Sequence, residues 1–174
     1  LMTAQIANGG YKITPKILTD DNQLTSEQVK KAMQDSKLND SFEPLYNDKK
    51  NIKIIQETMF SSTNELRGTS YKSRIEDPKY QFAGKTGTAQ VKRISKRERE
   101  LDLKTFQIPY EERDHALYVA FGPYRKPRYA VSIIVEHGGS GSSAAAPMAK
   151  ELFKLIVNRH QYRKKLPDYK EFNI

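Results

Sequence analysis

The stretch Ala83-Gly84-Lys85-Thr86-Gly87-Thr88-Ala89-Gln90-Val91 can be parsed in two ways. Gly84-Lys85-Thr86 has the letters that end a phosphate-binding loop, whereas Lys85-Thr86-Gly87 has those of a strand walling a cleft. A phosphate loop needs a glycine five residues before its Gly-Lys pair, so that backbone N–H groups can wrap the phosphates, and a helix must follow at once. That position holds Lys79, and Thr88-Ala89-Gln90-Val91 suits a strand better than a helix. The strand reading is therefore preferred.

The physics of that strand is specific. Its backbone can pair with an extended peptide as an added strand would. Gly87 has no side chain, so a substrate backbone can come close. Lys85, Thr86 and Thr88 offer donors to a carboxylate, and a charge-assisted bond of that kind contributes about 1.5–3 kcal/mol. A strand N–H can help hold an oxyanion, where losing one donor costs roughly 100- to 1,000-fold in rate.

Working outward, Tyr80–Val91 reads as the whole strand, with small residues in its middle. The segments 115–121 and 128–136 read as strong strands, and Gly122-Pro123-Tyr124-Arg125-Lys126-Pro127 turns between them into an antiparallel hairpin. Residues 92–114 are charge-dense with mixed sign, which fits a solvated excursion and argues against a nucleic-acid patch. Upstream, Leu1–Asn8 reads as the end of a helix stopped by Gly9-Gly10, and 11–18 as a short extended segment demoted by Pro15. Residues 19–50 are polar; Thr25-Ser26-Glu27 can cap a short helix carrying Val29 and Met33, and 39–50 reads as a loop. Ile52, Ile55, Met59, Ser62 and Leu66 fall at helical spacing, with Gly68 as the stop and 68–79 as a loop. Downstream, Gly138–Ser143 turns into a helix with a serine near its cap and Pro147 in its first turn. Met148, Leu152, Leu155 and Ile156 would form its buried face, and a basic tail follows from Arg159. The pattern is α+β: antiparallel strands covered by helices, the last of them C-terminal.

The 174 residues suffice for one domain with a sizeable core. A net charge of +9 suits an anionic partner or simple solubility. The absence of cysteine excludes disulfides and thiolate metal sites, and the three histidines, His115, His137 and His160, lack metal-ligand spacing. No apolar run approaches the length of a membrane span, and no cofactor motif is present.

KTGTAQV, followed by HALYVAFGPYRKPRYAVSIIVEHGGSGSSAAAP, resembles the C-terminal part of the penicillin-binding protein transpeptidase domain. The resemblance is strongest to the elongation-type class B enzymes of the penicillin-binding protein 2 group. It covers about Tyr80 to Asn158 apart from the charged insert; MTAQIANGGYKITPKI and the Gly68-Thr69 pair also look like family segments. The resemblance implies a partial penicillin-binding/serine β-lactamase-like fold, with residues 1–174 as the C-terminal fragment of one domain. It implies a serine D,D-transpeptidase that cross-links peptidoglycan stem peptides, is acylated by β-lactams, and sits on the periplasmic face of the bacterial inner membrane. A shape-determining glycosyltransferase of the elongation machinery would be its partner. Mapped by motif, Lys85 would support the electrostatics and proton transfers, Thr86 and Thr88 would hold the substrate carboxylate, and Gly87 would complete the motif. The Thr88 N–H would serve the oxyanion hole.

The family also uses Ser-x-x-Lys and Ser-x-Asn. No serine of this chain has lysine three positions later. Ser62-Thr63-Asn64 matches Ser-x-Asn in letters but lies just before the Lys-Thr-Gly strand, and reads instead as helix surface. The chain alone is therefore expected to be inactive. Two alternatives stay open: a non-catalytic binding or scaffold module of the same fold and, more weakly, a basic nucleic-acid binder. His137 reads as structural at a strand end, and Tyr118, Phe121 and Tyr129 as sheet packing.

Overall fold

Alternation of side chains along three segments builds one antiparallel sheet in the order β1-β2-β3, from Ala83–Ala89 (β1), His115–Gly122 (β2) and Tyr129–Val135 (β3). The computed structural model describes residues 1–13, 15, 43–93, 100, 101 and 103–164. The capped segment carrying Val29 and Met33 lies outside them, as do half of 11–18, part of the charged insert and the end of the basic tail. β1 is shorter than Tyr80–Val91: Gln81 and Phe82 precede the ladder, and Tyr124 N–H turns back to donate to the Gln81 carbonyl at 2.8 Å.

The register places Thr86 opposite Tyr118 and Thr88 opposite Ala116, so Gly84, Thr86 and Thr88 share a face with Ala116, Tyr118 and Ala120. That face packs on the C-terminal helix α3, Ala146–Lys164, through Phe82, Ala145, Ala146, Ala149 and Phe153, with the Phe82 and Phe153 rings stacked 4.8 Å apart. The other face carries Ala83, Lys85 and Gly87 beside Leu117, Val119 and Phe121. Two helices cover part of it, α1 (Met2–Ala7) and α2 (Lys49–Asn64).

The buried side of α3 differs from the expected one. Ala149, Phe153 and Val157 are buried, whereas Met148, Leu152 and Leu155 are exposed and Ile156 is half-buried. The helix carries two apolar stripes, and the sheet takes the one that begins with alanines, because small residues let the helix axis come closest to the strands. The serine cap is not made by a side chain either. Ser140 Oγ pairs with Ser142 Oγ, and a single π turn, Gly141–Ala145, leads into the helix with Ser143 and Ala144 N–H groups on the Ser140 carbonyl.

In α2 the buried stripe is likewise shifted. Met59 and Thr63 are buried, Ile55 is exposed, and Leu66 lies beyond the helix and is 80% exposed. Asp48 caps the start by accepting from Lys50 N–H, so the helix begins before the expected loop ends. Gln56 is half-buried and donates to the carbonyls of Ile6 and Ala7, the last residues of α1, supplying partners that a helix end lacks. The described part of 92–114 is mostly exposed and carries local order. It forms 3-10 turns at Thr105–Gln107 and Tyr110–Glu112, a Lys92–Glu112 ion pair, and a bond from Gly139 N–H to the Asp114 carbonyl.

Candidate active site

β1 is the edge of the sheet, and among the described residues no strand pairs with its outer side. Thr86 and Thr88 project from the same face, roughly 6.6 Å apart along the strand. One carboxylate can bridge that span with hydroxyl bonds of about 2.7 Å on each side. Lys85 leaves from the opposite face, but its ammonium folds back and donates to the Thr86 carbonyl at 2.9 Å. The cation and both hydroxyls thus belong to one short length of exposed edge, with Gly87 between the threonines.

Below Lys85, α1, α2 and the sheet enclose a cavity of about 320 Å3 lined by Met2, Ile6, Ile54, Ile55, Met59 and Val119, among others. Among the described residues that line it, Lys85 is the only charged one.

The opposite face of the strand is fixed by close packing. Tyr118 is 1% exposed, and its hydroxyl meets Thr63 Oγ1 at 2.9 Å and Ser70 Oγ at 3.1 Å. Thr63 and Ser70 are themselves buried, so the three hydroxyls satisfy one another out of water. Burial pushes the Tyr118 phenol above its ordinary pKa, against the lowering effect of the Ser70 and Thr63 bonds. The neutral phenol is thus the form that the fold keeps. The sign follows: the stabilisation is intact below the unfolded tyrosine value of about 10 and is lost as pH rises through the higher folded value. Tyr118→Phe is expected to cost about 1–2 kcal/mol by taking a partner from Thr63 and Ser70. It should also flatten part of the loss of stability above pH 10, which unfolding measurements across that range would show.

A second chain of hydroxyls reaches the edge strand itself. Ser62 Oγ lies 3.1 Å from Thr69 Oγ1, and Thr69 Oγ1 lies 3.4 Å from Thr86 Oγ1. Gly68 makes this approach possible, since a Cβ there would sit 2.3 Å from the Ser62 carbonyl oxygen. Ser62-Thr63-Asn64 is thus not the exposed helix surface that its letters suggested. Ser62 and Asn64 are half-buried, Thr63 is fully buried, and Asn64 Nδ2 donates to the carbonyls of Phe60 and Phe82, tying α2 to the approach of β1. The density of hydroxyl side chains in 61–63 and 69–70 was the available signal. Serine and threonine are ordinary surface residues, so that density alone does not announce burial.

His137 keeps a structural role. It holds a left-handed backbone with φ 54°, its N–H donates to His115 Nδ1 at 3.0 Å, and its own Nδ1 faces the Arg113 carbonyl at 3.1 Å. Tyr118 and Phe121 are buried in the sheet and Tyr129 is half-buried, as sheet packing requires.

A peptidoglycan D,D-transpeptidase MrdA of Haemophilus influenzae is 30% identical over 182 residues, covering 97% of this chain and 27% of the relative. That of Acinetobacter baumannii is 36% identical over 157 residues, covering 88% of this chain and 21% of the relative. Among solved structures, the PBP2–MreC complex of Helicobacter pylori matches with a TM-score of 0.59 at 28% identity, over 94% of this chain and 24% of that one. Pseudomonas aeruginosa PBP2 in complex with WCK 5153 matches with a TM-score of 0.57 at 28% identity, over 89% of this chain and 28% of that one. The chain spans about a quarter of the length of the curated relatives it matches. The family model described as the penicillin binding protein transpeptidase domain runs from Met2 to Lys154, taking in α1, α2, the whole sheet and the first half of α3. The chain therefore belongs to the penicillin-binding protein transpeptidase family.

Proposed function

We propose that this chain is the C-terminal part of a serine D,D-transpeptidase that cross-links peptidoglycan stem peptides during cell elongation. The observation that carries the reading is the open edge of β1, where Lys85, Thr86, Gly87 and Thr88 present a cation, two hydroxyls and free backbone to an extended substrate. The similarity to peptidoglycan D,D-transpeptidases supports the reaction class.

In this reaction a serine oxygen attacks the penultimate D-alanyl carbonyl carbon. The bond to the terminal D-alanine nitrogen breaks, and D-alanine leaves carrying a proton. An amine of a second stem peptide then attacks the acyl-serine ester, forming the cross-link and returning the serine. Thr86 and Thr88 donate to the terminal carboxylate, which fixes the scissile carbonyl in register along β1. The Thr88 N–H donates to the developing oxyanion. The Lys85 ammonium favours the charge that accumulates there and raises the acidity of neighbouring hydroxyls. A β-lactam carries a carboxylate and a strained acyl group, and so engages the same donors.

The serine and its base come from outside residues 1–174 in this proposal, because no Ser-x-x-Lys is present, and the chain by itself is inactive. The longer protein would work at the periplasmic face of the inner membrane with a shape-determining glycosyltransferase. The match to a PBP2 in complex with MreC supports a role among shape-determining proteins.

The test is intact mass spectrometry after incubation with a labelled penicillin, on this chain and on the chain joined to its native upstream sequence. One adduct on the extended protein alone, at a serine outside residues 1–174, is the expected result. No adduct on a folded extended protein would overturn the enzyme reading in favour of a binding module of the same fold.

A further inference from the structure

We infer that Thr69 is a positioning residue for the Lys-Thr-Gly strand, acting through the Thr86 hydroxyl. The inference rests on the transpeptidase reading and assigns a function to a residue that the motif does not include. A threonine hydroxyl has one proton to donate and lone pairs to accept with. If Thr86 is to donate its proton to a substrate carboxylate, its oxygen must be held by a donor from behind. Thr69 Oγ1 is within reach at 3.4 Å, and Ser62 Oγ stands behind Thr69 at 3.1 Å. Running the donors outward, from Ser62 to Thr69 to Thr86 to carboxylate, gives the Thr69 and Thr86 oxygens one donor each and leaves each proton directed toward the site. Each bond in such a chain polarises the next. The Thr69–Thr86 separation is long for a hydroxyl pair, as befits a bond that shortens once a carboxylate draws on the Thr86 proton.

The anchoring is local and stiff. Ser62 sits in the last turn of α2, and the Ser70 N–H and hydroxyl both return to the Ser62 carbonyl at 3.0 Å. Thr69 is therefore clamped between a residue bonded to the helix end and the strand it serves. Its side chain is exposed, so its hydroxyl contributes little to the core.

The experiment uses the full-length enzyme that contains this chain, with Thr69→Val, Thr69→Ser and Ser62→Ala. The readout is the second-order acylation rate with benzylpenicillin and with its methyl ester, which lacks the carboxylate charge. For Thr69→Val the expected result is a roughly five- to tenfold loss toward the free acid and little change toward the ester. Thr69→Ser restores the rate, and Ser62→Ala shows a smaller loss of the same selectivity. Equal losses on both compounds, no loss at all, or no rescue by serine overturns the positioning role. A wild-type enzyme that neither compound acylates overturns the transpeptidase reading itself, and this inference with it.

Discussion

Replacing Gly84 with alanine is expected to cost about 3 kcal/mol or more of stability. A Cβ at this position would lie 2.2 Å from the Tyr118 hydroxyl oxygen and 2.4 Å from its Cζ, well inside contact distance. The ring has nowhere to go. It is 1% exposed, packs edge-on against Phe82, and is pinned at its tip by Thr63 and Ser70. The added methyl must push β1 off β2 or drive the phenol out of its hydroxyl partners, and each route carries a cost of that order. Thermal unfolding measures it, and a loss of 3 kcal/mol lowers the midpoint by roughly 6–12 °C for a unit of 150–250 residues. Gly84→Ala combined with Tyr118→Leu should recover part of the loss relative to the sum of the single changes, because the clash is between those two groups. Equal midpoints for wild type and Gly84→Ala would show that the ring can yield after all.

Lys85→Met should do the opposite: large in rate, small in stability. The ammonium is exposed and its one described bond is to the neighbouring Thr86 carbonyl, so the fold should change by no more than about 0.5 kcal/mol. Removing a preorganised charge from an oxyanion environment costs roughly 100- to 1,000-fold in rate. In the full-length enzyme, penicillin acylation of the variant should fall by that factor while its unfolding midpoint holds. An unchanged rate would remove Lys85 from the chemistry. Arginine at this position should rescue poorly, since its planar fork cannot fold back over the strand edge as a compact ammonium does.

Much of the sheet was legible because each strand carries its own instruction. The runs of β-branched and aromatic residues in 115–121 and 129–135 and the Gly-Pro turn between them fix the hairpin locally. Lys85–Thr88 was legible as part of a strand for a similar reason, since the motif is contiguous. The helices were harder. In α3 both Met148-Leu152-Leu155 and Ala149-Phe153-Val157 have the period of a buried stripe, and only the shape of the sheet decides between them. In α2 the inward side includes Gln56 and Thr63, polar residues whose burial makes sense only once the Ile6 carbonyl and the Tyr118 hydroxyl are in place. The hydroxyl chain behind Thr86 joins residues 17 and 24 positions upstream of it, through a turn that no periodicity announces.

The turn at Gly141 has one more consequence. A Cβ there would fall 2.3 Å from the Leu117 carbonyl oxygen, 2.7 Å from the Gly87 oxygen and 3.1 Å from the Gly87 nitrogen, so main chain rests directly on main chain. The same turn runs without a break into α3, which is seated on the sheet by Ala145, Ala146 and Ala149. At Gly141 the turn that leads into the C-terminal helix meets Gly87 of the open edge strand through main-chain atoms. The helix acts as a backstop: a shift in its seating would press on the main chain of the edge strand rather than on a side chain that could yield.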